Sequence, residues 1–191
     1  MMIVTDKNKL TTPCEVVSIK EGEEIGAQLL KELSESKNGF GLAANQIGIN
    51  KKVCVVNVKK PIVLINPKIV EKSEEIFIFP EGCLSFPNKH IRTSRYVSVT
   101  VEADNHDDKL SFSADSKDID DAFECACVQH EIDHLDGITM FDRKFIPEPI
   151  VYDKKIPRNK KVTITKGSES KTLKYKKAES LLEDGGTLVE A

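Results

Sequence analysis

Residues 129–134 read Gln129-His130-Glu131-Ile132-Asp133-His134, and two histidines four apart with a glutamate after the first can do metal-assisted hydrolysis. On a helix, positions four apart lie one turn apart on the same face, so His130 and His134 can bind one ion. Glu131 then stands beside the ligands, where a carboxylate can take a proton from a water activated by the ion. The apolar stripe agrees with a helix: Phe123, Cys127, His130 and His134, at offsets of 4, 7 and 11, share one face. The ligand face is therefore also the face expected to look into the core, which suits a site shielded from bulk water. The plain alternative is a pair of histidines buried by packing, with Glu131 a solvated charge.

Two histidines do not complete a metal site; a third protein ligand is needed. One large class of zinc proteases takes it from H-E-x-x-H-x-x-G-x-x-H. Here Gly137 keeps the glycine, but Met140 stands where the third histidine would be. Another class takes a glutamate from a later helix, whereas the acids from Glu148 onward lie in a proline-broken, lysine-rich segment. The other soft donor is a cysteine well upstream. Cys83 follows a strand-like run and Pro80 in Glu81-Gly82-Cys83-Leu84-Ser85, and taken alone it reads as a small buried hydrophobe.

Its company changes that reading. The strings Gly39-Phe40-Gly41-Leu42-Ala43-Ala44-Asn45-Gln46, Glu81-Gly82-Cys83-Leu84-Ser85 and Gln129-His130-Glu131-Ile132-Asp133-His134 resemble the three signature motifs of peptide deformylases, in that family's order, across about the first 145 residues. The resemblance implies a metallohydrolase that removes the formyl group from the N-terminal formylmethionine of nascent polypeptides. It implies Cys83, His130 and His134 as metal ligands and Glu131 as general base. It places Gln46 and the backbone N–H of Leu84 against the formyl oxygen, and gives Gly41 the role of letting a substrate backbone approach and hydrogen-bond like an added strand. Asn45 stands where the family often has proline. One divalent ion is implied, with Fe2+ expected, although a Cys-His-His set by itself also accepts Zn2+, Ni2+ or Co2+. The leaving group is a methionine amine, so an apolar pocket beside the metal is expected, with Phe40, Phe123, Ala126 and Cys127 as its lining; ordinary core packing explains the same residues. Two other readings compete: an H-E-x-x-H metallopeptidase, which the missing third histidine and the Cys83 motif oppose, and a non-catalytic ribosome-binding module, which would be expected to have lost a ligand or Glu131.

The elements that must position these residues are partly legible. Glu21 to Lys37 reads as an amphipathic helix with Ile25, Leu29, Leu30 and Leu33 on one side, broken by Asn38-Gly39. Val53 to Val58, Ile62 to Ile65 and Ile76 to Phe79 are strand-like, and Tyr96 to Ala103 and Leu110 to Ala114 form a hairpin around a polar turn. From Asp120 to Leu135 the period becomes helical, and Asp136-Gly137 supplies the stop. The expected fold is α+β, strands and β-hairpins surrounding a central metal-carrying helix.

The bulk numbers bound the setting. With 191 residues, 39% hydrophobic and 31% charged, the chain suits a globular protein with a genuine core. No apolar run approaches a membrane span, and the start reaches charged residues too soon for a signal peptide. Five cysteines, an odd number without an export signal, argue for reduced thiols and a cytoplasmic protein. Cys14, Cys54 and Cys125 are read as packing, His90 and His106 as solvated, and Arg92 and Arg95 as surface arginines able to help hold a peptide. A net charge of −3 names no partner by itself, and nothing suggests sequence-specific nucleic-acid recognition. Residues 153–177, however, carry ten Lys or Arg against two acids. The expected organisation is a catalytic domain over 1–147 and a basic extension over 148–191, in which Val162 to Thr165 and Thr172 to Tyr175 form a small hairpin and Glu179 to Asp184 a short helix. This tail is a candidate for docking on the ribosome through RNA phosphates.

Overall fold

The computed structural model describes residues 3–36, 38–116, 118–147, 156–167, 169–183 and 185–190. The chain divides into two compact units, Met1–Phe145 and Ile146–Ala191. The expected boundary at 147/148, the start of the basic stretch and the expected helix ends at Lys37 and Asp184 touch residues outside the described ones.

The first unit is built around a two-sided strand. A short helix α1 (Lys7–Leu10) precedes α2 (Ile19–Glu35), then come β1 (Gly41–Ala43), a 3-10 turn (Ala44–Ile47), β2 (Val53–Asn57) and β3 (Pro61–Ile65). These strands form one antiparallel sheet in the order β1-β2-β3. Successive side chains of a strand point to opposite faces, and β2 uses both. Val53 and Val55 join Ile25, Leu29 and Leu33 of α2 in one cluster. Cys54 and Val56 join Cys125, Cys127, Val128, Ile132 and Leu135 in another. The unbroken Val53-Cys54-Val55-Val56 run is therefore a strand buried on both faces.

Beyond it lie β4 (Lys68–Lys72), β5 (Ile76–Cys83), β6 (Phe86–Tyr96), β7 (Ser98–Glu102) and β8 (Leu110–Ser113). β5 and β6 pair as a two-stranded hairpin, and β4, β7 and β8 form a second three-stranded sheet. The expected hairpin is the β7–β8 pair, with Ser98 opposite Ser113. β6 was not anticipated: its residues are mostly polar or charged, carry Pro87, and are exposed over much of their length, so no apolar alternation marks them.

α3 (Ile119–Leu135) follows, and a 3-10 turn (Met140–Arg143) closes the unit. Asp118 caps α3 by accepting from the Asp120 N–H at 3.0 Å, and Asp120 and Asp121 in the first turn complement the helix dipole. The sequence suggested one buried stripe, but every residue from Glu124 to Leu135 is buried, so α3 runs through the interior. Its end is set by Gly137, whose φ of +74° is a left-handed conformation and whose position a Cβ would bring within 2.7 Å of the Thr11 carbonyl oxygen.

The second unit contains β9 (Lys161–Lys166), β10 (Glu169–Lys174), α4 (Tyr175–Glu183) and β11 (Thr187–Glu190). Its antiparallel sheet runs β10-β9-β11, over a small core of Val162, Ile164, Ala178 and Leu188.

Candidate metal centre

Three elements bring the candidate residues together. α3 supplies His130, Glu131 and His134, the C-terminal end of β5 supplies Cys83, and the turn after β1 supplies Gln46. The ligand atoms of Cys83, His130 and His134 all lie within 4.8 Å of one another, with Cys83 Sγ 3.2 Å from His134 Nε2. A thiolate and two imidazoles converging in this way match the donor set of a divalent transition metal.

The second nitrogen of His130 fixes which atom is available. His130 Nδ1 lies 2.8 Å from Glu81 Oε2; a carboxylate only accepts, so Nδ1 carries the proton and Nε2 is left to bind metal. Burial alone would lower the His130 pKa, but hydrogen bonds to Cys83 and Glu81 and the nearby Glu131 carry it well above the ordinary value, so without a cation Nε2 also holds a proton, which a metal binding there would displace. His134 is 0% exposed, and burial, reinforced by the charges of His130 and Arg95, depresses its pKa. Its Nδ1 has no hydrogen-bond partner among the described residues.

Glu81 belongs to a buried charged chain that reading by motif missed. Arg95 donates from Nε to Glu81 Oε1 at 2.6 Å, from Nη2 to Glu81 Oε2 at 2.9 Å, and from Nη1 to Asp133 Oδ2 at 2.5 Å. Arg143 grips the same Asp133 with two bonds, at 3.0 and 2.7 Å. Burial would raise the Glu81 carboxyl, yet Arg95 and His130 hold it at about 2. Arg95 is 2% exposed; its reading as a surface arginine is corrected, and two carboxylates already occupy its guanidinium. A signal was available for Glu81, since it lies two residues before Cys83 and a strand returns to the same side every second residue.

The first glycine-rich string forms the opposite wall. Gln46 accepts the Ala43 N–H on Oε1 at 2.9 Å. Its amide nitrogen is thereby turned towards Cys83 Sγ, at 3.5 Å, and Ser85 Oγ, at 3.2 Å. Asn45, which stands where the family often has proline, donates from Nδ2 to the His134 carbonyl at 2.6 Å and so ties this turn to the last turn of α3. Gly41 leaves the Glu131 carboxyl its room: a Cβ there would collide with Glu131 Oε1 and stand 2.8 Å from Cys127 Sγ. Glu131 itself is 4% exposed, its Oε2 has no hydrogen-bond partner among the described residues, and burial pushes its carboxyl up to about 7.

These groups open onto a cavity of about 470 Å³ lined by all the candidate residues except His134, which lies beneath it. Phe40, Phe123, Ala126 and Cys127 all contribute, as does Leu84. Phe79 and His90 also line it. His90 is exposed, as a solvated side chain should be, but it sits on β6 opposite Gly82 rather than in a loop. His106 is partly buried, with Nε2 3.0 Å from the Val63 carbonyl oxygen. The five cysteines are all unpaired as disulfides, and Cys14, Cys54 and Cys125 pack in the core.

The family model described as Polypeptide deformylase matches residues 1–148. The chain is 34% identical over 141 residues to the peptide deformylase of Rhizobium meliloti (strain 1021), covering 70% of this chain and 76% of that protein. It is 42% identical over 124 residues to the peptide deformylase of Natranaerobius thermophilus, covering 63% and 75%. Among solved structures it is similar to a peptide deformylase from Synechococcus elongatus in complex with actinonin, with a TM-score of 0.65 and 30% identity over 76% of this chain and 79% of that one. An actinonin-bound class I type b peptide deformylase from Acinetobacter baumannii gives a TM-score of 0.65 and 28% identity over 76% and 98%.

Proposed function

The chain belongs to the polypeptide deformylase family, and from that premise we propose that Cys83, His130 and His134 hold its metal ion while Glu131 moves the proton of the reaction. The activity is metal-dependent hydrolysis of the formamide bond of N-formylmethionyl peptides, releasing formate from newly made chains. Family membership favours this over a general metallopeptidase or a non-catalytic ribosome-binding module. The observation that carries the residue assignment is the convergence of one thiol and two imidazoles within 4.8 Å beside a buried, otherwise unpartnered carboxylate oxygen.

When bound, a divalent ion supplies Lewis acidity, drawing charge from the formyl oxygen and bringing the ionisation of water towards neutral pH. Fe2+ is the ion we assign, from the family resemblance; the donor set also admits Zn2+, Ni2+ and Co2+. Glu131 takes the proton of the attacking water and passes it to the departing methionine amine. Its desolvated position beside Gly41 keeps that proton within the pocket. As the formyl carbon becomes tetrahedral, charge grows on its oxygen, and the Gln46 amide N–H and the Leu84 backbone N–H donate to it. One such donor is typically worth ~3 kcal/mol in the transition state. Glu81 keeps His130 in the tautomer that presents Nε2. The peptide backbone lies along Gly41, and the methionine side chain enters between Phe40, Phe123, Ala126 and Cys127.

The deciding experiment measures formate release from formyl-Met-Ala-Ser by anaerobically prepared, iron-loaded protein beside Glu131→Ala. Release by the parent and none by the variant supports the assignment; equal release by both refutes the base.

Residues 1–147 are assigned as the catalytic domain and 148–191 as a basic extension that docks on the ribosome through RNA phosphates, given ten basic against two acidic residues in 153–177. Unchanged ribosome affinity after removal of everything beyond Phe145 would eliminate that docking role. The reaction is placed in the cytoplasm, where unpaired thiols stay reduced. No helix among the described residues is long and apolar enough to cross a membrane.

A further inference from the structure

The wall of the cavity is aromatic to a degree that its apolar function alone does not require. Phe123 of α3 lies between two other rings. Phe40 meets it edge-on, with centroids 4.6 Å apart and planes at 64°. Phe79 of β5 stacks on it at 5.7 Å and 24°. All three line the cavity that also contains Cys83, His130 and Glu131. They come from three separate elements, so the ring cluster is a product of the tertiary fold. Nor are these rings closed into the core: Phe40 is 46% exposed, and Phe79 and Phe123 are half-buried. Ala126 and Cys127, three and four residues after Phe123 and so about one turn along α3, are small and line the same cavity.

An aliphatic wall reads a side chain by area and volume, so it treats a thioether sulfur and a methylene as near equivalents and slightly favours the more hydrophobic methylene. An aromatic wall does not. A polarisable sulfur gains from lying ~5 Å from a ring, often at its edge, and a methylene of the same size gains less. We propose that Phe40, Phe79 and Phe123 form a sulfur-reading wall that makes this enzyme discriminate formylmethionine from its isostere formylnorleucine, with Phe79 a specificity-determining residue that sequence motifs do not mark. The inference rests on the deformylase reading and on the seating of the first side chain in this cavity. Its chemical content is narrower: the selected feature is the sulfur atom, not chain length or apolar bulk. Oxidation to the sulfoxide, which makes that atom polar, is rejected by the same wall.

The test compares kcat/KM for formyl-Met-Ala-Ser and formyl-Nle-Ala-Ser in the iron-loaded parent and in Phe40→Leu, Phe79→Leu and Phe123→Leu. Leucine keeps the wall apolar while removing the ring. The expected parent ratio favours methionine by roughly three- to ten-fold, the range one sulfur–ring contact supplies. The Phe79→Leu and Phe123→Leu ratios are expected to fall to within about two-fold of unity by loss of that contact, whatever each variant does to the absolute rate. Phe40→Leu, at the exposed end of the cluster, serves as the variant least burdened by folding defects. A parent ratio at or below one, or a methionine preference that survives in all three variants, overturns the sulfur-reading wall while leaving the deformylase intact. Formate from neither substrate would bring down the parent assignment and this inference together.

Discussion

Glu131 sits in conflict with the stability of the protein that carries it. Its carboxyl is raised to about 7 by burial, from an ordinary 4.5. A group whose pKa is higher in the folded state favours folding while protonated, and that contribution disappears as pH rises from about 4.5 through about 7. At pH 8 the metal-free parent should therefore be less stable than metal-free Glu131→Gln, by on the order of 3 kcal/mol. The difference should shrink towards zero at pH 4; thermal melts at the two pH values check it. A bound cation reverses the balance by favouring the carboxylate. In the loaded enzyme, Glu131→Gln should instead lower kcat by about 10²- to 10⁴-fold with metal content unchanged. Glu81 makes a second prediction at this scale. Glu81→Gln leaves His130 without its carboxylate partner and Arg95 with only Asp133, which Arg143 shares, to balance its buried charge. Metal affinity should fall ~10- to 100-fold, read by chelator competition, and stability by about 3–5 kcal/mol, read by urea unfolding.

At the scale of elements, two glycines act through space that no side chain can fill. Gly137 ends α3 in a left-handed conformation against the Thr11 carbonyl, so Gly137→Ala should cost roughly 2 kcal/mol or more in urea unfolding. Gly41 lies in β1 against Glu131 Oε1. Gly41→Ala should displace the carboxylate, lowering kcat by at least about 100-fold, since a misplacement on the order of 1 Å is enough, with a smaller effect on the melting temperature. The side-chain amide of Gln129 binds the backbone of Tyr96 on both sides, accepting its N–H at 2.9 Å and donating to its carbonyl at 3.0 Å. In this way α3 holds the end of β6, whose partner β5 delivers Cys83. That contact lies where Tyr96 pairs with Ile76, at the end of the hairpin opposite to Cys83.

For the whole molecule, the apolar clusters divide as the chain does. Among the described residues, the two clusters that sandwich the β1-β2-β3 sheet reach no further than Leu135, while Val162, Ile164, Ala178 and Leu188 form a cluster of their own. Residues 1–145, a compact unit with its own core, should therefore fold alone and release formate at a rate within about two-fold of the full chain. A truncated protein that is folded but inactive would show that the second unit contributes to catalysis.

The ligand helix was legible because its chemistry is local: a four-residue spacing of histidines is also one helical turn, and Gly137 marks its end. α2 and β2 could be read for the same reason, their periodicity being a property of neighbouring residues. Cys83 was only nominated by its motif; its distance from His134, 51 residues further along the chain, depends on how two separate elements pack. β6 escaped because exposed polar strands carry no apolar alternation. The Glu81–Arg95–Asp133–Arg143 chain escaped because charged side chains read as surface until a fold buries them together. Sequence alone thus determined which atoms could bind a metal and move a proton. The tertiary structure decided which carboxylate pairs with His130, which becomes desolvated, and which rings meet around the cavity, because burial and long-range pairing exist only once distant segments have packed.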